Sequence, residues 1–190
     1  MGRPVMLGNG SLTVGLDESG LVHDFYYPYV GLENLTTARS MNHRIGVWVD
    51  NQFSWIDGAD WERHVDFEHD ALVSAISIKN AKLQLSLDFS DFVDSELNVF
   101  CRQIKVTNSA DHERTIRVFL HQVFQISHDG RADTALYVPD EHYLLDYKGR
   151  CSLLIYAHTD KNQVFDQFSI GNFGIEGKEG TYKDAEDGEL

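Results

Sequence analysis

The chain has 190 residues, with 16 lysines and arginines against 30 aspartates and glutamates, giving a formal charge of −14. That surplus argues against nucleic acid or an anionic membrane as partner, since both need a basic face. The length suits one domain, or one domain and a fragment, and 42% hydrophobic residues can fill a sizeable core.

Residues 1–6 hold no apolar stretch of signal-peptide length, and no window is apolar enough to span a bilayer, so a soluble, cytoplasmic protein is expected. Leu12, Val14 and Leu16 alternate with polar or small residues, which predicts a strand with one apolar face. Residues 17–20 read as a turn, and 21–26 as the returning strand of a hairpin. Tyr26, Tyr27 and Tyr29 then crowd around Pro28. Pro28 has no backbone donor and cannot sit inside a central strand, so this cluster should leave the sheet and rest on its rim. Glu33 and Asn34 follow it directly.

Residues 45–49 and 52–56 flank Asp50-Asn51, a two-residue hairpin signal. Residues 61–69 alternate Trp61, Arg63, Val65 and Phe67 against Glu62, His64, Asp66 and Glu68, the pattern of a half-exposed strand. Further strands are expected at 72–78, 83–89, 97–107 and 114–127, and a last hairpin at 142–147 and 152–157. Nothing has the three-to-four spacing of a long amphipathic helix. The pattern predicts an all-β, antiparallel sandwich. Residues 170–190 differ: Gly171, Gly174, Gly177, Gly180 and Gly188 recur among acidic residues, which reads as an exposed loop or tail.

Several stretches resemble one enzyme family. Gly8-Asn9-Gly10-x-Leu12-x-Val14-Gly15-Leu16-Asp17, then Asp24-x-Tyr26-Tyr27-Pro28-x-Val30-Gly31-x-Glu33-Asn34, is similar to the opening of prokaryotic glucoamylase-type enzymes. These form the glycoside hydrolase family of glucoamylases, glucodextranases and some trehalases. Val118-Phe119-Leu120-His121-Gln122, Asp133-Thr134-Ala135 and Tyr182-Lys183-Asp184-Ala185-Glu186-Asp187-Gly188 resemble later family segments in the same order, with Tyr182 where the family has Trp. The resemblance implies a large antiparallel supersandwich, like that of sugar mutarotases, over residues 1–169. It also implies that 170–190 is an interior loop, with the last sandwich strands and a helical catalytic barrel beyond it. The family's two catalytic glutamates belong to that barrel and match no residue here. The implied partner is the barrel, with an α-glucan or maltooligosaccharide as substrate. A sandwich lacking its last strands would expose a sheet edge, so self-association through that edge is expected.

Other chemistry finds weaker signals. Inverting glycosidases hold two carboxylates roughly 6.5–9.5 Å apart around a water. Asp88, Asp91 and Asp94, or Glu62, Asp66 and Glu68, are close in sequence, but read as solvated acidic faces. His121, with His128 and Asp129 nearby, is the candidate for a mutarotase-like proton transfer, against the plainer reading of a hydrogen-bonded strand residue. His64, His69 and His121 show no ligand spacing, and 129–133 lacks the oxygens of a calcium loop, so no metal or cofactor is expected. Cys101 and Cys151 read as small buried hydrophobes in a reducing compartment, with a single inter-strand disulfide as the other possibility. Tyr26, Tyr27, Tyr29, Trp48, Trp55 and Trp61 either stack on sugar rings or pack in the core and at a domain interface.

No catalytic residue is therefore assigned. Tyr26, Tyr27, Tyr29, Glu33 and Asn34 are the candidates for a domain-interface or substrate-rim contact. The expected role is that of a non-catalytic N-terminal domain. The alternatives are a free-standing carbohydrate-binding module and a mutarotase-like epimerase using His121.

Overall fold

A computed structural model of the chain describes residues 3–36, 43–126, 133–161, 163–171 and 182–190. Among these the elements are β1 (Val5–Gly8), β2 (Thr13–Leu16), β3 (Val22–Tyr26), β4 (Arg44–Val49), β5 (Gln52–Trp55), β6 (Glu62–Phe67) and β7 (Ser74–Asn80). They continue with β8 (Leu85–Val93), β9 (Phe100–Asn108), β10 (Ile116–His121), β11 (Thr134–Val138), β12 (Tyr143–Lys148), β13 (Cys151–Ile155) and a 3-10 turn at Asp184–Asp187. The sheets run β1-β2-β3, β10-β4-β5, β6-β7-β8-β9 and β11-β12-β13, antiparallel throughout. The fold is an all-β sandwich, as the alternation predicts.

Local chemistry sets the turns. Asp50 and Asn51 have φ of 50° and 58°. Two consecutive left-handed residues give the hairpin turn whose twist matches the strands it joins. In the β2–β3 turn, Asp17 Oδ1 accepts from the amides of Ser19 and Leu21 at 2.8 and 3.0 Å. Asp94 turns the chain before β9 by accepting from the amides of Glu96 and Leu97. That turn is why β9 begins at Phe100 rather than near residue 97, and why Leu97 and Val99 stay exposed.

One core joins the sheets. Ile76, Ile78, Leu85, Leu87 and Phe89 point inward from β7 and β8. They meet Val5 and Leu7 of β1, Val14 and Leu16 of β2, and Ile45, Val47 and Val49 of β4. The intervening residues of the four-stranded sheet, such as Glu62, Lys79, Asp88, Gln103 and Lys105, face water. Asp91 follows Leu85, Leu87 and Phe89 on the core face and is 0% exposed, so it does not belong to the solvated acidic face that its spacing with Asp88 and Asp94 suggests. Arg102 reaches it with two hydrogen bonds of 2.8 and 2.7 Å and donates to Gly20 O at 2.7 Å. This tie joins the four-stranded sheet to the β2–β3 turn.

β10 lies at a sheet edge. Ile116, Val118 and Leu120 pair with Val49, Val47 and Ile45 and so share the core face. Val118 and Leu120 nevertheless remain 36% and 46% exposed, because the described residues place no strand beyond them. β1 and β11 go beyond the predicted strands. β1 offers only Val5 and Leu7 as alternating apolar residues, and β11 is exposed over Thr134–Leu136, so neither has a strong pattern.

Candidate functional site

The rim loop is built from β3 outward. The Asn34 side-chain amide is engaged by backbone and side-chain groups at the base of the loop. Its Oδ1 accepts from the amides of Phe25 and Thr36 at 2.9 and 3.1 Å and from Thr36 Oγ1 at 2.8 Å. Its Nδ2 donates to His23 O at 3.3 Å and to Asp24 Oδ1 at 2.9 Å. Burial would push the Asp24 carboxyl up, but Arg3 and His23 together hold it below the usual carboxylate range. The loop between these anchors carries a cis Tyr27–Pro28 peptide and Gly31 at φ 102°. It holds Tyr27, Tyr29, Val30 and Leu32 outward at 40%, 57%, 62% and 47% exposure. Tyr26 is half-buried at the end of β3, bridged to Asn34.

Glu33 faces the β12–β13 hairpin, where its charge helps raise the Cys151 thiol, after burial and Asp146. Here the fold brings Asp133 of the Asp-Thr-Ala segment close to Asp146, which sequence reasoning did not single out. Asp146 lies within the apolar run of β12, and burial, then the Asp133 charge, pushes its carboxyl up to about 6. Its Oδ1 is shielded and has no hydrogen-bond partner among the described residues. Asp133 accepts from the Ile126 amide at 3.2 Å and pairs with Lys148 at 3.7 Å. Asp146 can therefore hold a proton below pH 6. The available signal was a lone acid at an inward position of a strand; its partner lies thirteen residues away and only pairing of β11 with β12 brings the two together.

A second cluster covers the outward face of the β10-β4-β5 sheet. The register places Arg44, Gly46, Trp48, Phe53, Trp55, Arg117, Phe119 and His121 on that face. Arg44 makes two hydrogen bonds to Asp57 and lies 4.3 Å over the Trp55 ring. Arg117 lies 5.0 Å over Trp48. Phe53 packs edge-on to Trp55 at 4.7 Å. Residues 182–190 lie on this face. Tyr182 meets Trp55 and His121 at 6.1 and 5.4 Å between ring centroids. Trp55 Nε1 donates to Glu186 Oε1 at 3.2 Å, and Arg117 donates to Gly188 O and Glu189. Gln167 and Arg117 hold the Glu189 carboxyl below its usual range.

His121 is thus covered by Tyr182, and burial, then Arg44, lowers its pKa to about 4, so the ring is neutral near pH 7. His43, on the core side beside Phe124, is lowered to about 3 by burial, His121 and Arg102. Its Nε2 has no hydrogen-bond partner among the described residues. His128 and Asp129, weighed with His121 from sequence, lie outside the described residues, as does most of 129–133.

The remaining candidates separate. Trp61 is a core residue, 4% exposed, donating to Ser54 Oγ at 2.9 Å. Glu62, Asp66, Glu68 and Asp88 face water, and His64 and His69 are exposed. Among the described residues no three His, Cys, Asp or Glu side chains are placed to hold a metal. Cys101 and Cys151 are both half-buried free thiols. Among the described residues no helix is long and apolar enough to cross a membrane.

No family model and no solved structure matches the chain. The chain is similar to an uncharacterized glycosyl hydrolase of Methanocaldococcus jannaschii, with 24% identity over 185 residues, or 97% of this chain. It spans 28% of that protein's length.

Proposed function

We propose that this chain is the non-catalytic N-terminal sandwich of a glycoside hydrolase that cleaves α-glucosidic bonds, of the glucoamylase type. Its role is to pack against and support a helical-barrel catalytic domain. The observation that carries this reading is the rim loop. Asn34 and Thr36 tie its base to β3, yet the loop holds Tyr27, Tyr29, Val30 and Leu32 out to solvent. An anchored loop that presents a contiguous run of apolar and aromatic residues has the form of a contact surface. The distant similarity to a protein described as a glycosyl hydrolase agrees, and the unmatched length of that protein leaves room for a catalytic domain.

The same exposed tyrosines favour a second reading, a free-standing carbohydrate-binding module. Aromatic faces bind the apolar faces of sugars, and Tyr27 and Tyr29 are the accessible ones. A mutarotase-like role for His121 has less support, because Tyr182 covers its ring. Glucose release from maltooligosaccharides by the chain alone tests the non-catalytic assignment. No release above buffer is expected. Turnover abolished by Asp146→Asn or Asp133→Asn would overturn it and move the chemistry to those carboxylates.

A further inference from the structure

The outward faces of the two layers differ in kind. The four-stranded sheet shows water Glu62, Asp66, Lys79, Asp88 and Lys105. The β10-β4-β5 sheet carries Trp48, Phe53, Trp55 and Phe119, with Arg44 and Arg117 among them. A guanidinium lies over each indole, at 4.3 Å on Trp55 and 5.0 Å on Trp48. A guanidinium thus occupies one face of each indole. The arrangement offers donors: the Arg117 guanidinium and Trp55 Nε1–H, both of which read carboxylates. Arg44 is already satisfied by Asp57 and serves to fix Trp55.

What occupies this face defines what it selects. Tyr182 lies on Trp55 and His121, and Ala185 is buried. Glu186 takes the Trp55 indole N–H, and Glu189 takes Arg117. Gly188 sits against Trp48, where a Cβ would stand 2.6 Å from Nε1, and its φ is 95°. Of residues 182–190 only Ala185 and Gly188 are buried. Lifting the segment exposes little apolar surface of its own, which places it among the least stable parts of a fold.

We infer that this face is a docking site for an acidic peptide, and that a second copy of the chain can supply its residues 182–190 in trans. Four features of the segment match the face: an aromatic ring at its start, a small residue three positions on, a glycine six positions on, and carboxylates at four and seven. Its acidic character, with Asp184, Glu186, Asp187 and Glu189, complements Arg117. Exchange between copies reproduces every contact of the intramolecular arrangement, so it carries little enthalpic cost.

The test uses the full chain and a labelled nonapeptide of the sequence of residues 182–190. Gly188→Val should eject the chain's own segment while leaving the platform whole. Anisotropy titration is expected to show saturable peptide binding to this variant, at least tenfold tighter than to the unsubstituted chain. Adding Arg117→Glu should abolish it, as should glutamines in place of the peptide's two glutamates. If Gly188→Val does not fold, Glu186→Lys with Glu189→Lys serves instead, since both side chains are exposed. A variant that keeps its β-sheet circular dichroism and cooperative unfolding but binds no peptide, or binds the glutamine-substituted peptide equally, overturns the site. For the second copy, Arg117→Glu chains are mixed with Glu186→Lys/Glu189→Lys chains. Sedimentation should show a dimer only in the mixture; its absence overturns exchange in trans.

Discussion

Replacing Arg102 by methionine should destabilise the chain by more than any single surface change. Asp91 has no exposure, and both of its carboxylate oxygens are bonded to Arg102, at 2.8 and 2.7 Å. Methionine keeps much of the stem volume over Phe89 and Phe100 but leaves the Asp91 carboxylate buried without a counter-ion. Removing one partner of a buried pair costs about 3–5 kcal/mol. For a chain of this size that is a melting-temperature drop of roughly 6–20 °C. Urea unfolding followed by tryptophan fluorescence gives the number. Arg102→Met together with Asp91→Leu should recover most of the loss, since the stranded charge is gone. A residue of about 1–2 kcal/mol should persist, because Gly20 O also loses its donor. A single variant costing under about 1 kcal/mol, or a double variant as unstable as the single, would refute the reasoning: the first would mean no stranded charge, the second a loss of packing.

Three further substitutions follow from the same logic. Asn34→Ala removes the amide that holds the rim loop to β3. It should cost about 2–3 kcal/mol and open residues 27–33 to limited proteolysis, read by mass spectrometry. Asp146→Asn replaces a group that holds its proton more tightly folded than unfolded, so ionisation weakens the fold as pH rises from about 4 through 6. Discounted for its partial exposure, the variant should gain about 1 kcal/mol at pH 7.5 and nothing at pH 4, measured by thermal melts. His43 is the reverse case, neutral when folded and protonated more readily when unfolded, with His121 and Arg102 facing it. Its contribution is fully present above pH 6.5 and is lost as pH falls toward about 3. Between pH 6.5 and about 4.5 the unsubstituted chain should lose about 2–3 kcal/mol that His43→Leu does not.

Much of the sandwich was legible because its strands alternate cleanly. The β2–β3 and β4–β5 hairpins, and the β6 to β9 run, could each be read from apolar period and turn residues such as Asp17 and Asp50-Asn51. Sheet order could not: β10 joins β4 across the whole four-stranded sheet in sequence, and no local signal carries that pairing. β1 is too short for its two alternating residues to register. At the rim, the aromatic run marked the loop, while the anchoring bonds of Asn34 to the β3 backbone could not be read, because they depend on a fold-back nine residues long. The Asp133–Asp146 pair and the guanidinium-covered indoles are likewise products of strand register. The seating of residues 182–190 rests on Ala185 and Gly188, small residues that composition alone assigns to a loop.

Calorimetric titration of the chain with maltose and longer maltooligosaccharides tests the central claim most directly. A domain whose rim tyrosines exist to meet a catalytic barrel should give no saturable heat at millimolar sugar, with or without Tyr27→Ala. Saturable binding that Tyr27→Ala abolishes would contradict the account and make the Tyr26–Asn34 rim a sugar site in its own right.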